Sequence, residues 1–223
     1  MSRIVVITGV GTGIGKTHVA EALLCAFPRG LRVLGYKPIE SGADDGEGED
    51  GGRLREASTF HVKHPPLRYV FRAPVSPHVA ARLEAAVIDV EAIAASVRTL
   101  ADQVDVLVVE LPGGLFSPIT ENQLNVDLLA RLPQARTILV AADRLGVLHD
   151  VTAANRAAKA SGVEIDAVVL SAPEIGDAST GTNAVELARI GAPPVVARLE
   201  RSAARDLAAG GALDALVAFV TRD

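Results

Sequence analysis

Ile4-Val5-Val6-Ile7, running into Thr8-Gly9-Val10-Gly11-Thr12-Gly13-Ile14-Gly15-Lys16-Thr17, decides the fold of this 223-residue chain. An apolar run, a glycine-rich turn and Lys-Thr at the start of a helical pattern predict a buried strand, a phosphate-binding loop and a helix. Glycines let backbone N–H groups wrap phosphate oxygens without Cβ clashes. A helix starting at Lys16 turns its positive dipole end towards the same anion. In such a loop Gly13, Ile14 and Gly15 cradle the nucleotide, Lys16 reaches its β- and γ-phosphates, and the Thr17 hydroxyl ligates Mg²⁺. The common spacing, G-x-x-x-x-G-K-[ST], needs Gly at position 10, where this chain has Val10. Gly9 stands one residue earlier, so the loop is one residue longer.

Beyond the loop, short β-branched runs alternate with helical patterns. Strands are expected at Ile4–Thr8, Arg32–Tyr36, Val104–Glu110, Thr137–Ala142, Ala167–Leu170 and Val195–Leu199. Helices are expected at Lys16–Ala26, His78–Glu84, Val90–Gln103, Val126–Leu132, Asp150–Ser161, Asn183–Ile190 and Ala212–Val220. Most of the strands are apolar on both faces, as in a parallel sheet covered by helices. The alternation predicts one α/β domain over residues 1–223, a doubly wound and mainly parallel sheet of the P-loop NTPase type. Gly42–Gly52 reads as a solvated acidic loop, with one carboxylate that could face the phosphates, and Pro173–Thr182 as a second irregular stretch.

Hydrophobic residues make up 49% of the chain, enough for a full core, while aromatics are 3% and Trp is absent. Base stacking on exposed aromatics is therefore not the expected mode of recognition. A net charge of −5 without a basic block argues against nucleic acid as a partner. The single cysteine, Cys25, leaves no internal disulfide and is expected to be buried and inert on the first helix. No apolar run approaches bilayer length, and the N-terminal run is short for a signal peptide, so a cytoplasmic protein is expected.

Two further segments point to the same chemistry. Val106-Leu107-Val108-Val109-Glu110 is an apolar strand ending in a carboxylate, and ligands of open α/β sheets sit at the carboxyl ends of strands. If its strand neighbours the first, Glu110 becomes a Mg²⁺ contact. Gly113 and Gly114 soon after permit close backbone approach to a ligand. Gly35-Tyr36-Lys37-Pro38 sets Lys37 at the end of the second strand, where it can stabilise charge on a transferring phosphoryl group. His18, His61, His64 and His78 show no ligand pattern. Asp127, near Asn125, reads as helix-start capping, and Asp143-Arg144 as a surface ion pair.

The long loop, Gly35-Tyr-Lys-Pro-Ile-Glu-Ser-Gly42, Pro74-Val-Ser-Pro-His78, Val109-Glu110 with Gly113-Gly114, and Arg144-Leu-Gly146 occur in the order and spacing of one family. The chain resembles the dethiobiotin synthetases. That resemblance implies ring closure of 7,8-diaminononanoate (diaminopelargonate) with CO₂, or bicarbonate as its source, and ATP through a phosphorylated carbamate. It implies Lys16, Lys37 and Thr12 as catalytic groups, and Thr12, Ser41, Gly113 and Gly114 around the diamine. It implies Thr17, Glu110 and an acidic-loop carboxylate on Mg²⁺; alignment picks Asp50, with Asp44, Asp45, Glu47 and Glu49 as competitors. It implies that Leu145, Gly146 and Val147, ahead of a helix at His149-Asp150, receive the substrate carboxylate from a neighbouring subunit, hence a homodimer. Ser171 and Arg198 stand where the family often has an adenine-reading Asn and a Pro. The other reading is a partner-binding ATPase switch of the partitioning or septum-positioning type, but Gly11 occupies the position of that group's signature Lys.

Overall fold

Val5 and Ile7 face one side of the first strand and Ile4 and Val6 the other, and all four are buried. A strand of this kind needs cover on both faces, and the computed structural model, which describes residues 3–43, 48–63 and 66–222, supplies it. The chain runs β1 (Arg3–Gly9), α1 (Lys16–Ala26), β2 (Val33–Tyr36), β3 (Ile39–Ser41), α2 (Glu49–Ala57), β4 (Tyr69–Phe71), α3 (Pro77–Leu83), α4 (Val90–Ala101) and β5 (Val106–Glu110). It continues through α5 (Asn125–Leu129), β6 (Arg136–Ala142), α6 (Val147–Ala160), β7 (Ala167–Ser171), α7 (Asn183–Arg189), β8 (Val195–Leu199), α8 (Ala204–Ala209) and α9 (Asp214–Thr221).

Six strands form one sheet in the order β2-β5-β1-β6-β7-β8, and every pairing in it is parallel. Val5 and Ile7 pack with Val19 and Leu23 of α1 and Leu216 of α9. Ile4 and Val6 pack with Ile93 and Val97 of α4 and Val151 of α6. The doubly wound sheet expected from the sequence is the one observed. Its register sets Ile7 beside Glu110 and Tyr36 beside Val109. The phosphate loop, Lys37 and Glu110 therefore leave the same carboxyl edge of three adjacent strands. No helix among the described residues is long and apolar enough to cross a membrane.

Three differences from the sequence expectation affect the site. Part of the expected acidic loop is helical, because α2 begins at Glu49 and includes Gly51 and Gly52. Glycines lower helix propensity, but α2 is held by tertiary contacts: Leu54 is fully buried, and a Cβ on Gly35 of β2 would stand 2.9 Å from Leu54 Cβ. The bare Gly35 lets α2 lie close against the sheet. Second, β3 and β4 form a separate parallel pair of three residues each, too short to show a period. Third, α6 starts at Val147, with Gly146 as its N-cap at φ 95°, so Val147 lies inside the helix rather than ahead of it. Asp44, Asp45, Glu47 and His64 lie outside the described residues.

Candidate active site

The loop between β1 and α1 turns on Gly13 (φ 70°) and Gly15 (φ 89°), conformations that favour glycine. Gly15 is the N-cap of α1 and has no side chain to satisfy the first helical N–H groups, which leaves them to an anion. Lys16 Nζ donates to Gly11 O at 2.8 Å. Burial pulls the Lys16 ammonium down to a pKa of about 8, with Lys37 adding to the effect and Glu110 opposing it. Ser171, at the end of β7, sets its hydroxyl 2.5 Å from where a Cβ on Gly15 would stand. It therefore lies against the loop itself.

Glu110 is 1% exposed, and its Oε1 accepts from Thr17 Oγ1 at 2.9 Å and from Lys37 Nζ at 2.8 Å. Lys37 Nζ also donates to Asp50 Oδ2. One ammonium thus bridges two carboxylates. Burial alone would depress Lys37, but Glu110 and Asp50 hold it above the ordinary lysine value. Burial likewise opposes ionisation of Asp50, and the Lys37 ammonium outweighs it and holds that carboxyl below its usual range.

A cleft of about 1060 Å³ opens along this edge. Thr12, Gly13, Ile14, Gly15, Lys16 and Thr17 line it from the loop, and Lys37, Ser41, Asp50, Glu110, Gly113 and Ser171 from the neighbouring segments. Ser41 Oγ is buried there with no partner among the described residues. Thr12 Oγ1 lies 3.8 Å from the Cβ position of Gly113. Gly114 passes so close to the loop that a Cβ on it would stand 3.2 Å from Gly9 O and from Gly11 N.

Leu145, Gly146 and Val147 do not line the cleft of their own chain. Leu145 is 76% exposed, and its N–H donates to Asp177 Oδ2 at 2.7 Å.

The donor set fits Mg²⁺. Thr17, Asp50 and Glu110 offer only oxygen, and Glu110 Oε2 is buried with no hydrogen-bond partner among the described residues. Mg²⁺ is usually held by one or two carboxylates together with substrate phosphates rather than by an all-protein cage. No group of three or more His, Cys, Asp or Glu able to hold a metal occurs among the described residues.

Several residues around the site were not singled out from the sequence. Asn125 Nδ2 donates to Pro112 O at 2.6 Å and Gly114 O at 2.8 Å, so it pins the glycine turn. Ser117 Oγ accepts from Gly114 N at 2.8 Å. Glu40 accepts from the N–H groups of Asp50 and Gly51. Glu40 lies within a quoted motif and Ser117 close behind another, but the partners of Glu40 and Asn125 are ten or more residues away, and only the fold joins them. Asp127 does cap a helix start, accepting from Leu124 N at 2.7 Å.

Asp143 is not paired with Arg144. It is 3% exposed and accepts from Asn183, Gly181 and Arg198, while Arg144 pairs with Asp150. The departure at Arg198 thus serves a buried carboxylate. Cys25 is half-buried rather than buried, and the burial it has pushes its thiol up, against reactivity.

A glycine-rich loop capping α1, at the carboxyl edge of a doubly wound sheet, defines a P-loop nucleotide-binding protein. Residues 3–206 match the family model described as AAA domain. The ATP-dependent dethiobiotin synthetase BioD of Anaeromyxobacter sp. (strain Fw109-5) is 38% identical over 208 residues, covering 91% of each chain. That of Caulobacter sp. (strain K31) is 41% identical over 175 residues, covering 74% of each. The chain belongs to the ATP-dependent dethiobiotin synthetase family.

Among solved structures, the septum site-determining protein MinD of Pyrococcus horikoshii, complexed with Mg-ADP, aligns with a TM-score of 0.57 at 19% identity, covering 96% of this chain and 86% of that one. A ParA family ATPase from Chlorobium tepidum aligns at 0.56 and 15% identity, covering 97% of this chain and 91% of that one. At such identities the likeness shows the fold alone.

Proposed function

We propose that this chain is a dethiobiotin synthetase, closing a cyclic urea on diaminopelargonate with CO₂ and MgATP. The observation that carries the reading is the buried Lys37 ammonium between Glu110 and Asp50, in the cleft that also holds Lys16 and the loop. A cation in that setting is suited to charge that develops on a transferring phosphoryl group.

In the proposed reaction one amine of the substrate captures CO₂ as a carbamate and loses a proton. A carbamate oxygen takes the γ-phosphoryl group from ATP, and ADP leaves. The second amine attacks the carbonyl carbon of the resulting carbamic–phosphoric anhydride, the C–O bond to phosphate breaks, and the ring closes with release of phosphate and a proton. Both amines belong to one bound molecule, so closure is effectively unimolecular.

The backbone N–H groups of Gly13, Ile14 and Gly15 bind the phosphates, with Ser171 beside them. Lys16 and Lys37 stabilise the transferring charge. Thr12 and Ser41 receive the diamine end of the substrate against Gly113 and Gly114. Thr17, Asp50 and Glu110 would hold Mg²⁺, which when bound neutralises charge between the β- and γ-phosphates. A single α/β domain, residues 1–223, carries all of these groups, and the proposed setting is the cytoplasm.

Mass spectrometry of the product from diaminopelargonate, bicarbonate and MgATP tests the reaction. The cyclic urea is expected. ATP hydrolysis that proceeds at full rate without the diamine, and no cyclic product, would instead favour a nucleotide switch.

The homodimer is part of the same proposal. Leu145, 76% exposed, and Ile175, 85% exposed, flank the Asp177 contact that ties their two loops together. An apolar pair on an exposed rim suits a second copy of the chain, with Leu145–Val147 presented to its cleft. Leu145→Arg is expected to give a monomer in analytical ultracentrifugation that still binds nucleotide and has lost ring closure. A fully active monomer would overturn the shared site.

A further inference from the structure

Gly48, the N-cap of α2, has no side chain to accept a hydrogen bond, yet α2 carries Asp50 in its first turn. The acceptor comes from β3. Glu40 is 6% exposed, and its two carboxylate oxygens accept from Asp50 N at 2.8 Å and Gly51 N at 3.0 Å. A charged acceptor on first-turn N–H groups does the work that an N-cap side chain does elsewhere, and more strongly. The missing side chain at Gly48 makes room for it, since a Cβ there would collide with the Glu40 carboxylate.

Arg68, next to β4, completes the arrangement. Its Nη2 donates to Glu40 Oε2 at 3.2 Å, and its Nε to Lys37 O at 3.2 Å. Two backbone positions are therefore joined through one partly buried ion pair: the start of α2, which carries Asp50, and Lys37 at the end of β2. The side chains of those same two residues meet in the cleft.

We propose that Glu40, held by Arg68, is a positioning residue that fixes the Asp50 carboxylate against Lys37 and so sets the geometry in which the nucleotide's metal is bound. The metal part of this rests on the reading of Asp50 given above. Glu40 also borders the cleft, but both of its oxygens are directed at Asp50 N, Gly51 N and Arg68, which gives it the role of holding Asp50.

The test is calorimetric binding of the β,γ-imido analogue of ATP, with and without Mg²⁺, so no turnover is needed. Glu40→Ala is expected to weaken binding in Mg²⁺ by about 10- to 100-fold, the usual effect of losing a group that orients a metal contact. Binding without Mg²⁺ stays at the wild-type level. Asp50→Ala should lose the same Mg²⁺-dependent increment, and the double variant no more than Asp50→Ala alone, because both act through one carboxylate. Hydrogen exchange at the Asp50 and Gly51 amides should speed up in Glu40→Ala even without nucleotide.

Wild-type binding of the Mg²⁺ complex by Glu40→Ala, equal losses with and without metal, or full additivity with Asp50→Ala would each overturn the proposal. A wild-type increment in Asp50→Ala beside a lost one in Glu40→Ala would overturn it as well. If Glu40→Ala does not fold, Glu40→Gln and Arg68→Met carry the same comparisons. The product assay stands apart, so failure of the ring-closing reading is distinguishable from failure of this one.

Discussion

Replacement of Lys37 by Ala should lower ring closure by about a hundred- to a thousandfold, while the ATP analogue still binds. The phosphate loop does not depend on Lys37: its glycine turns at Gly13 and Gly15 lie between β1 and α1. What disappears is a fixed cation in a water-poor site, where removing one electrostatic group has effects of that size. Two carboxylates lose their common counter-ion at the same time. Glu110, 1% exposed, keeps only the Thr17 hydroxyl as a donor among the described residues. Breaking a buried pair from one side destabilises a protein by about 3–5 kcal/mol, so a lower melting temperature should accompany the catalytic loss. Turnover measured well below that temperature separates the two effects. Near-normal turnover in a folded Lys37→Ala protein would remove Lys37 from the mechanism.

Glu110→Gln should have the second large effect, through a different route. The carboxylate now accepts from Thr17 and Lys37 on one oxygen and offers the other, buried Oε2, which has no hydrogen-bond partner among the described residues. A carboxamide keeps the shape but removes the charge, and its NH₂ turns an acceptor into a donor. Lys37 then has Asp50 as its remaining anionic partner on this side, and with the NH₂ in the place of Oε2 the oxygen suited to Mg²⁺ is lost. The Mg²⁺ concentration for half-maximal activity should rise by about 10- to 100-fold. Titration of steady-state turnover with MgCl₂ at saturating ATP checks this. An unchanged Mg²⁺ dependence would exclude Glu110 as a metal contact.

The grouping of Lys16, Thr17, Lys37 and Glu110 was legible in the sequence because each closes or follows an apolar strand. Parallel strands in one sheet deliver their carboxyl ends to one edge, so three local patterns converge without knowledge of the tertiary structure. The strand pairing of Ile7 with Glu110 meets the condition on which that reading of Glu110 depended. The surroundings of Asp50 were not legible. Gly48, Gly51 and Gly52 read as a loop, and the carboxylate that makes them helical stands eight or more residues upstream, on a strand of three residues. Asn125 was hidden in the same way, since its partners Pro112 and Gly114 are recognisable only after the chain has turned back. Local propensity and a tertiary partner point in opposite directions in α2, and the partner prevails.

The two glycines inside α2 have opposite meanings for anyone seeking a hardier protein. Swapping a helix-interior glycine for alanine commonly stabilises by about 0.5–1 kcal/mol. At Gly52 a methyl group meets nothing within 4 Å, and that gain is available. At Gly51 the same methyl collides with the Arg68 guanidinium, and moving it aside would break its bonds to Glu40 and the Lys37 carbonyl. A thermostability screen that scores only melting temperature would treat these neighbours alike, and could select a tougher chain whose chemistry has been disarmed.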